Sequence, residues 1–164
     1  MKTNLILPPQ YIDTQNAPII FLAGPIQGAP LWQTQAIALL QDLMPEAYIA
    51  SPRKEYLEGT FVYAEQVDWE THHLNLAAQN GVVLFWLAQE MMHFPERAYA
   101  QTSRFELGEW KVKHERDGIN LVVGIEEGFS NERYIRRRLT QDCPEVTICS
   151  TLEATCQQAI KLIQ

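Results

Sequence analysis

The sequence is short of cysteine, of basic residues and of long apolar runs, and each shortage removes a class of function. Its three cysteines, Cys143, Cys149 and Cys156, are odd in number and have neither CxxC spacing nor a histidine partner at zinc-finger distance. They read as free thiols in a reducing compartment. The histidines, His72, His73, His93 and His114, form no HExxH or His/carboxylate cluster, so neither a metal nor another cofactor is expected. Lys plus Arg number 13 against 20 Asp plus Glu, a formal charge of −7, which matches poorly with a nucleic-acid backbone or an anionic membrane. No apolar run approaches the roughly 18 residues that span a bilayer, and Leu5-Ile6-Leu7 before Pro8-Pro9 is too short for a secretory signal. The expectation is a cytoplasmic protein that handles a small molecule, with no nucleic-acid or membrane partner.

What is present fits one folded domain over residues 1–164, since 46% of residues are hydrophobic and 20% charged. Residues 1–17 read as an irregular N-terminal arm. Residues 18–23 are a continuous apolar run ending at Gly24-Pro25, as expected of a strand buried on both faces. Helical spacing of Trp32, Ala36, Leu39, Leu40 and Leu43 follows, stopped by Pro45. A short strand at 47–50 precedes a polar loop. A helix over 64–79, with Val67, Leu74, Ala77 and Ala78 inward, leads to a third strand at 82–86. After a long connection, 88–101, the pattern predicts a helix to about Arg116, a strand at 119–125, a basic helix at 131–139, a short strand at 146–149 and an amphipathic helix at 152–163. Five βα units require parallel strands with helical crossovers, hence an α/β flavodoxin-like three-layer sandwich: a five-stranded parallel sheet, order 2-1-3-4-5, with helices on both faces. Ligands in such sheets sit beyond the carboxyl ends of the strands where the order reverses, here between the first and third strands.

Three segments near that point carry candidate chemistry. The loop Gly24-Pro-Ile-Gln27-Gly-Ala-Pro30 lacks the GxxxxGK[ST] and GxGxxG phosphate cradles and the Ser/Thr-rich loop of a flavin mononucleotide binder. It suits either a flat ring or sugar beside the Gln27 amide, or an ordinary tight βα turn. The helix before the third strand carries Glu65, Asp68, Trp69, Glu70, His72 and Asn75; Asp68, His72 and Asn75 share one face, which a solvated surface also explains. At the start of the next helix stands Thr102-Ser-Arg-Phe-Glu106-Leu-Gly108-Glu-Trp110. Read as a first-turn residue, Glu106 would be held ionised by the helix dipole, as a nucleophile requires, or would serve as a capping-box partner for Thr102 or Ser103. Gly108, costly inside a helix, suggests a close approach by backbone or ligand.

Taken in order, Phe21-Leu-Ala-Gly-Pro25, Gln66-Val-Asp-Trp-Glu70, Arg104-Phe-Glu-Leu-Gly108 and Val123-Gly-Ile-Glu-Glu-Gly-Phe resemble the nucleoside 2-deoxyribosyltransferase superfamily, in its nucleoside 2-deoxyribosyltransferase-like branch. The resemblance spans residues 18 to about 139. It implies a homo-oligomer that cleaves the N-glycosidic bond of a (deoxy)nucleoside or nucleotide and passes the sugar to another base or to water. It implies Glu106 as nucleophile, Asp68 as first choice and Glu70 as second for the acid that manages the leaving base, and Gly24, Pro25 and Gln27 along the pocket, with Trp69 beside it. The sequence departs from the family in having no acid between Glu96 and Glu106. Gln101 or Ser103 would then hold the sugar, and the arginines of the loop, Arg97 and Arg104, would suit a 5′-phosphate. A non-catalytic nucleotide- or nucleobase-binding module is the alternative expectation.

Overall fold

The structure is a computed structural model that describes residues 4–164. The three central strands, β2 (Ile19–Ala23), β4 (Gly81–Leu87) and β5 (Leu121–Ile125), are apolar almost throughout, and all but Gly81 of their residues are buried. That pattern requires cover on both faces, which parallel strands with helical crossovers supply. Helices α1 (Trp32–Leu43) and α5 (Leu152–Ile163) cover one face through Trp32, Ala36, Leu40, Cys156, Ala159 and Ile160. Helices α2 (Tyr63–Asn80), α3 (Gln101–Asp117) and α4 (Glu132–Asp142) cover the other through Trp69, Ala77, Leu107, Trp110 and Leu139.

With β3 (Tyr48–Ala50) and β6 (Ile148–Cys149), the sheet runs β3-β2-β4-β5-β6, every pair parallel, which is the doubly wound order expected from the sequence. The count differs. A sixth strand, β1 (Leu5–Ile6), pairs in parallel with β3 at the edge, so the segment read as an irregular arm contributes to the sheet. Two residues cut off by Pro8-Pro9 give no periodic signal; pairing with β3, through Asn4 and Ile6 carbonyls that accept from Ile49 and Ser51, makes them a strand. Val67, expected inward on α2, is 39% exposed. Among the described residues no helix is long and apolar enough to cross a membrane, and no group of three or more His, Cys, Asp or Glu is placed to hold a metal ion.

The order reverses between β2 and β4, and the chain leaves β2 through Gly24 there. A Cβ on Gly24 would lie 2.2 Å from the Trp86 carbonyl oxygen and 2.8 Å from Trp32 Cζ2, at φ +153°, so only glycine lets this loop pass so close to β4. The long connection from Ala88 to Ala100 returns to the same loop. Met91 and Met92 both donate their N–H groups to the Gly28 carbonyl, Tyr99 Oη donates to the Ala88 carbonyl at 2.7 Å, and Arg97 donates to Gln27 Oε1. Met91 and Met92 remain exposed on its outer surface.

Candidate active site

The two loops and the start of α3 enclose a pocket of about 230 Å³ beyond the carboxyl ends of β2 and β3. Gly24, Pro25 and Gln27 line one wall, Pro52 and Glu70 another, and Arg97 with Ala100–Ser103 and Glu106 the third. Three strand-to-helix connections thus meet at the reversal point, each supplying residues that are remote in sequence.

Glu70 and Glu106 are its two carboxyl groups. They come from different helices on the same face of the sheet. Glu70 accepts a 2.7 Å hydrogen bond from Gln66 Nε2, one turn earlier on α2, and Gln66 also donates to the Pro52 carbonyl and accepts from Tyr56 Oη. The Glu70 carboxyl is nevertheless pushed above the usual carboxylate range, because burial outweighs the Gln66 bond. Glu106 is pushed further, to about 8, by burial first and then by the negative charges of Glu70 and Glu109.

That direction reverses the expectation of a dipole-ionised Glu106. Helix α3 begins at Gln101, after Ala100 in the left-handed conformation (φ 56°), and no side chain caps it. Thr102 and Ser103 therefore lie inside the helix and cap nothing. Glu106 is its sixth residue, beyond the first turn to which the dipole's influence is largely confined, and desolvation prevails. At pH 7 about nine tenths of such groups carry a proton.

Of the other residues singled out in the sequence, Gln101 and Ser103 line the pocket with Gly24, Pro25 and Gln27. Asp68 does not: it is exposed on α2 beside His72 and Asn75, on the solvated face. One residue of helix rotates each neighbour by about 100°, so within Asp68-Trp69-Glu70 the three side chains face solvent, core and pocket in turn. Trp69 is fully buried, packs against Phe21 and His73, and donates its indole N–H to the Gln10 carbonyl at 2.7 Å. It is core. Arg104 turns away from the pocket: its guanidinium stacks on Phe129 at 4.4 Å and donates to the carbonyl and hydroxyl of Ser130. A Cβ at Gly108 would meet nothing within 4 Å, and the residue opens onto a groove between α3 and α4, so no close approach explains it.

Sequence reasoning omitted Gln66 and Pro52 from the site and left Arg97 as one of two arginines. The i, i+4 spacing of Gln66 and Glu70 is the signal for the first. Nothing local marks Pro52, which reaches the pocket only because β3 lies beside β2.

No protein-family model matches the sequence, and no curated protein matches it. The fold has a counterpart among solved structures, the crystal structure of a conserved protein from Enterococcus faecalis V583, at a TM-score of 0.53 and 10% identity, covering 89% of this chain and 99% of that one. At that identity the likeness is one of α/β fold.

Proposed function

We propose that the pocket cleaves, or transfers, the N-glycosidic bond of a (deoxy)nucleoside or nucleotide on a flavodoxin-like scaffold. The observation that carries this reading is the pair of carboxyl groups, Glu70 and Glu106, lining one pocket at the reversal point, with proton affinities raised by burial and, at Glu106, by the charge of its neighbour. Such a pair retains a proton near neutrality, so it offers one carboxylate and one carboxylic acid to the same ligand.

The chemistry follows from that division. With the proton on Glu70, the Glu106 carboxylate attacks the anomeric carbon, the C–N bond breaks, and its electron pair goes to the base nitrogen, which takes the Glu70 proton. Water or an acceptor base then attacks the glycosyl ester from the opposite face and yields its proton to Glu70. Two inversions retain the configuration. Glu70 takes the role for which Asp68 was the first choice, because Asp68 does not reach the pocket.

The test is incubation with a panel of deoxynucleosides and their monophosphates, with and without an acceptor base, followed by chromatography. Free base or an exchanged nucleoside is expected, and Glu106→Ala is expected to abolish it. A panel in which nothing turns over overturns the reading.

The protonated Glu106 gives a specific reason to keep a second reading, a non-catalytic module in which the acid donates a hydrogen bond to a bound nucleotide or base. That module predicts a ligand-dependent rise in Tm, of size RT ln(1 + [L]/Kd), with no product.

A further inference from the structure

We propose that Gln66 and Tyr56 are positioning residues for the acid that protonates the leaving base: together they hold Glu70 Oε1 as a fixed hydrogen-bond acceptor, so that the transferable proton is carried on Oε2. The inference rests on the glycosidic reading of the pocket, in which Glu70 is that acid.

The direction of the hydrogen bonds is set by the one partner that can only accept. Gln66 Nε2 lies 3.2 Å from the Pro52 carbonyl oxygen and 2.7 Å from Glu70 Oε1. A backbone carbonyl has no proton to give, so the amide turns its NH2 group toward Pro52, and its second N–H falls on Glu70. The amide oxygen is left on the other side, where Tyr56 Oη donates to it. Turning the amide over would set its oxygen against the Pro52 carbonyl and forfeit the Tyr56 bond. Burial, and then the negative charges of Glu70 and Glu65, raise the Tyr56 phenol above its ordinary range, so this hydroxyl keeps its proton and remains a donor. Both N–H groups and the oxygen of Gln66 are thereby committed.

The partners come from three places in the chain. Pro52 follows β3, Tyr56 lies in the connection to α2, where its ring meets Phe61 edge-on at 5.1 Å, and Gln66 and Glu70 stand one turn apart on α2. Pro52 and Glu70 line the pocket, whereas Gln66 and Tyr56 do not. Those two therefore act on a bound substrate through Glu70.

The consequence is chemical. An oxygen that already receives an N–H at 2.7 Å is a poor seat for a proton, and among the described residues Glu70 Oε2 receives none. As the C–N bond breaks, its electron pair goes to the base nitrogen, that nitrogen takes the Oε2 proton, and Glu70 becomes a carboxylate. The Gln66 bond is then charge-assisted and roughly twice as strong. An interaction that strengthens along the reaction lowers the barrier instead of tightening ground-state binding. The same bond opposes the effect of burial on Glu70 and keeps it acidic enough to release the proton.

Gln66→Met and Tyr56→Phe in the full chain test this with two substrates. One is the deoxynucleoside or deoxynucleotide that turns over fastest, whose base needs a proton to leave; the other is the 4-nitrophenyl glycoside of the same sugar, whose leaving group departs as a stable anion. Gln66→Met is expected to lower kcat on the first about 10- to 100-fold, the range for a hydrogen bond to a charged group, with KM and the nitrophenyl rate changed by less than about threefold. Tyr56→Phe should show a smaller loss of the same pattern. Carbon-13 NMR of labelled glutamate carboxyls, with the Glu70 signal assigned by its absence in Glu70→Gln, reads the arrangement without turnover: in Gln66→Met the Glu70 titration should move to higher pH. Equal losses on both substrates, or an unmoved Glu70 titration in an active protein, would overturn the positioning role and leave the glycosidic reading intact. A moved titration in a protein that turns over neither substrate would support the hydrogen-bonded arrangement and overturn the glycosidic reading. An unmoved titration with no turnover would remove both.

Discussion

Replacing Glu106 by glutamine should stabilise the protein, and by an amount that depends steeply on pH. Glutamine has the shape of the protonated acid and cannot ionise. In the folded state the Glu106 carboxyl titrates near 8, against an ordinary value of 4.5. A carboxyl raised in this way contributes fully to stability below the unfolded value, and the contribution is lost as pH rises through the folded one. Integrating between the two values, the natural protein at pH 7 has lost about 3 kcal/mol relative to its fully protonated form, and by pH 9 about 5 kcal/mol. Glu106→Gln escapes that loss. It also eases ionisation of Glu70, an effect of the same sign. The advantage of the variant should therefore be near zero at pH 4, grow by about 1.4 kcal/mol for each pH unit from 5 to 7.5, and level off above 8. Urea unfolding followed by tryptophan fluorescence at pH 5, 7 and 9 measures it, because Trp32, Trp69, Trp86 and Trp110 are all at most 4% exposed and respond together on unfolding. A difference that stays constant with pH would show that Glu106 titrates normally, and with it would go the shared-proton chemistry of the site.

Other consequences are more local. Because the chemistry needs one proton shared by Glu70 and Glu106, kcat/KM should fall about tenfold per pH unit as pH rises above about 8, where the pair loses that proton, and in Glu70→Gln, which has no acid to lose, that falling limb should disappear. The same Glu70→Gln change should cost about 10²-fold or more in rate, whereas Asp68→Asn on the exposed face should stay within about twofold; steady-state kinetics of the pair would separate them. Gly24→Ala drives a methyl into the Trp86 carbonyl and should cost roughly 2–4 kcal/mol in urea unfolding, along with ligand binding. Arg104→Ala loses the Ser130 bonds and the Phe129 stack, so it should lower stability by about 1–2 kcal/mol while leaving KM unchanged.

The doubly wound sheet was legible because its signals are local and repeated. Ile19–Ala23, Gly81–Leu87 and Leu121–Ile125 are apolar on both faces, and a chain of alternating short apolar runs and amphipathic helices has few ways to bury them. The crossover rule allows more than one doubly wound order, and the pairing of β2 with both β3 and β4 selects the flavodoxin-like one. Leu5–Ile6 escaped notice because two residues have no period; their strand character comes from the β3 edge they join.

The site was legible in part. Motif order put the Gly24 loop after β2, Glu70 on α2 and Glu106 on α3, and the three line one pocket. Sequence spacing could not choose between Asp68 and Glu70, because a shift of one or two residues on α2 turns a side chain from solvent to core or pocket, and the rotation of α2 is set by how Trp69 and Ala77 seat against the sheet. Nor could it place Arg97 and Arg104, seven residues apart, on opposite sides of α3.

What the amino-acid order determined by itself, then, was the alternation of strands and helices and the parallel, doubly covered sheet, both of which follow from periodicity and chain connectivity. The protonation of Glu106 was decided by tertiary structure alone. A left-handed Ala100 starts α3 at Gln101, which carries Glu106 out of the reach of the helix dipole, and the fold then buries it beside Glu70. Desolvation and like-charge repulsion act through space between groups 36 residues apart in the chain, and no local pattern records them.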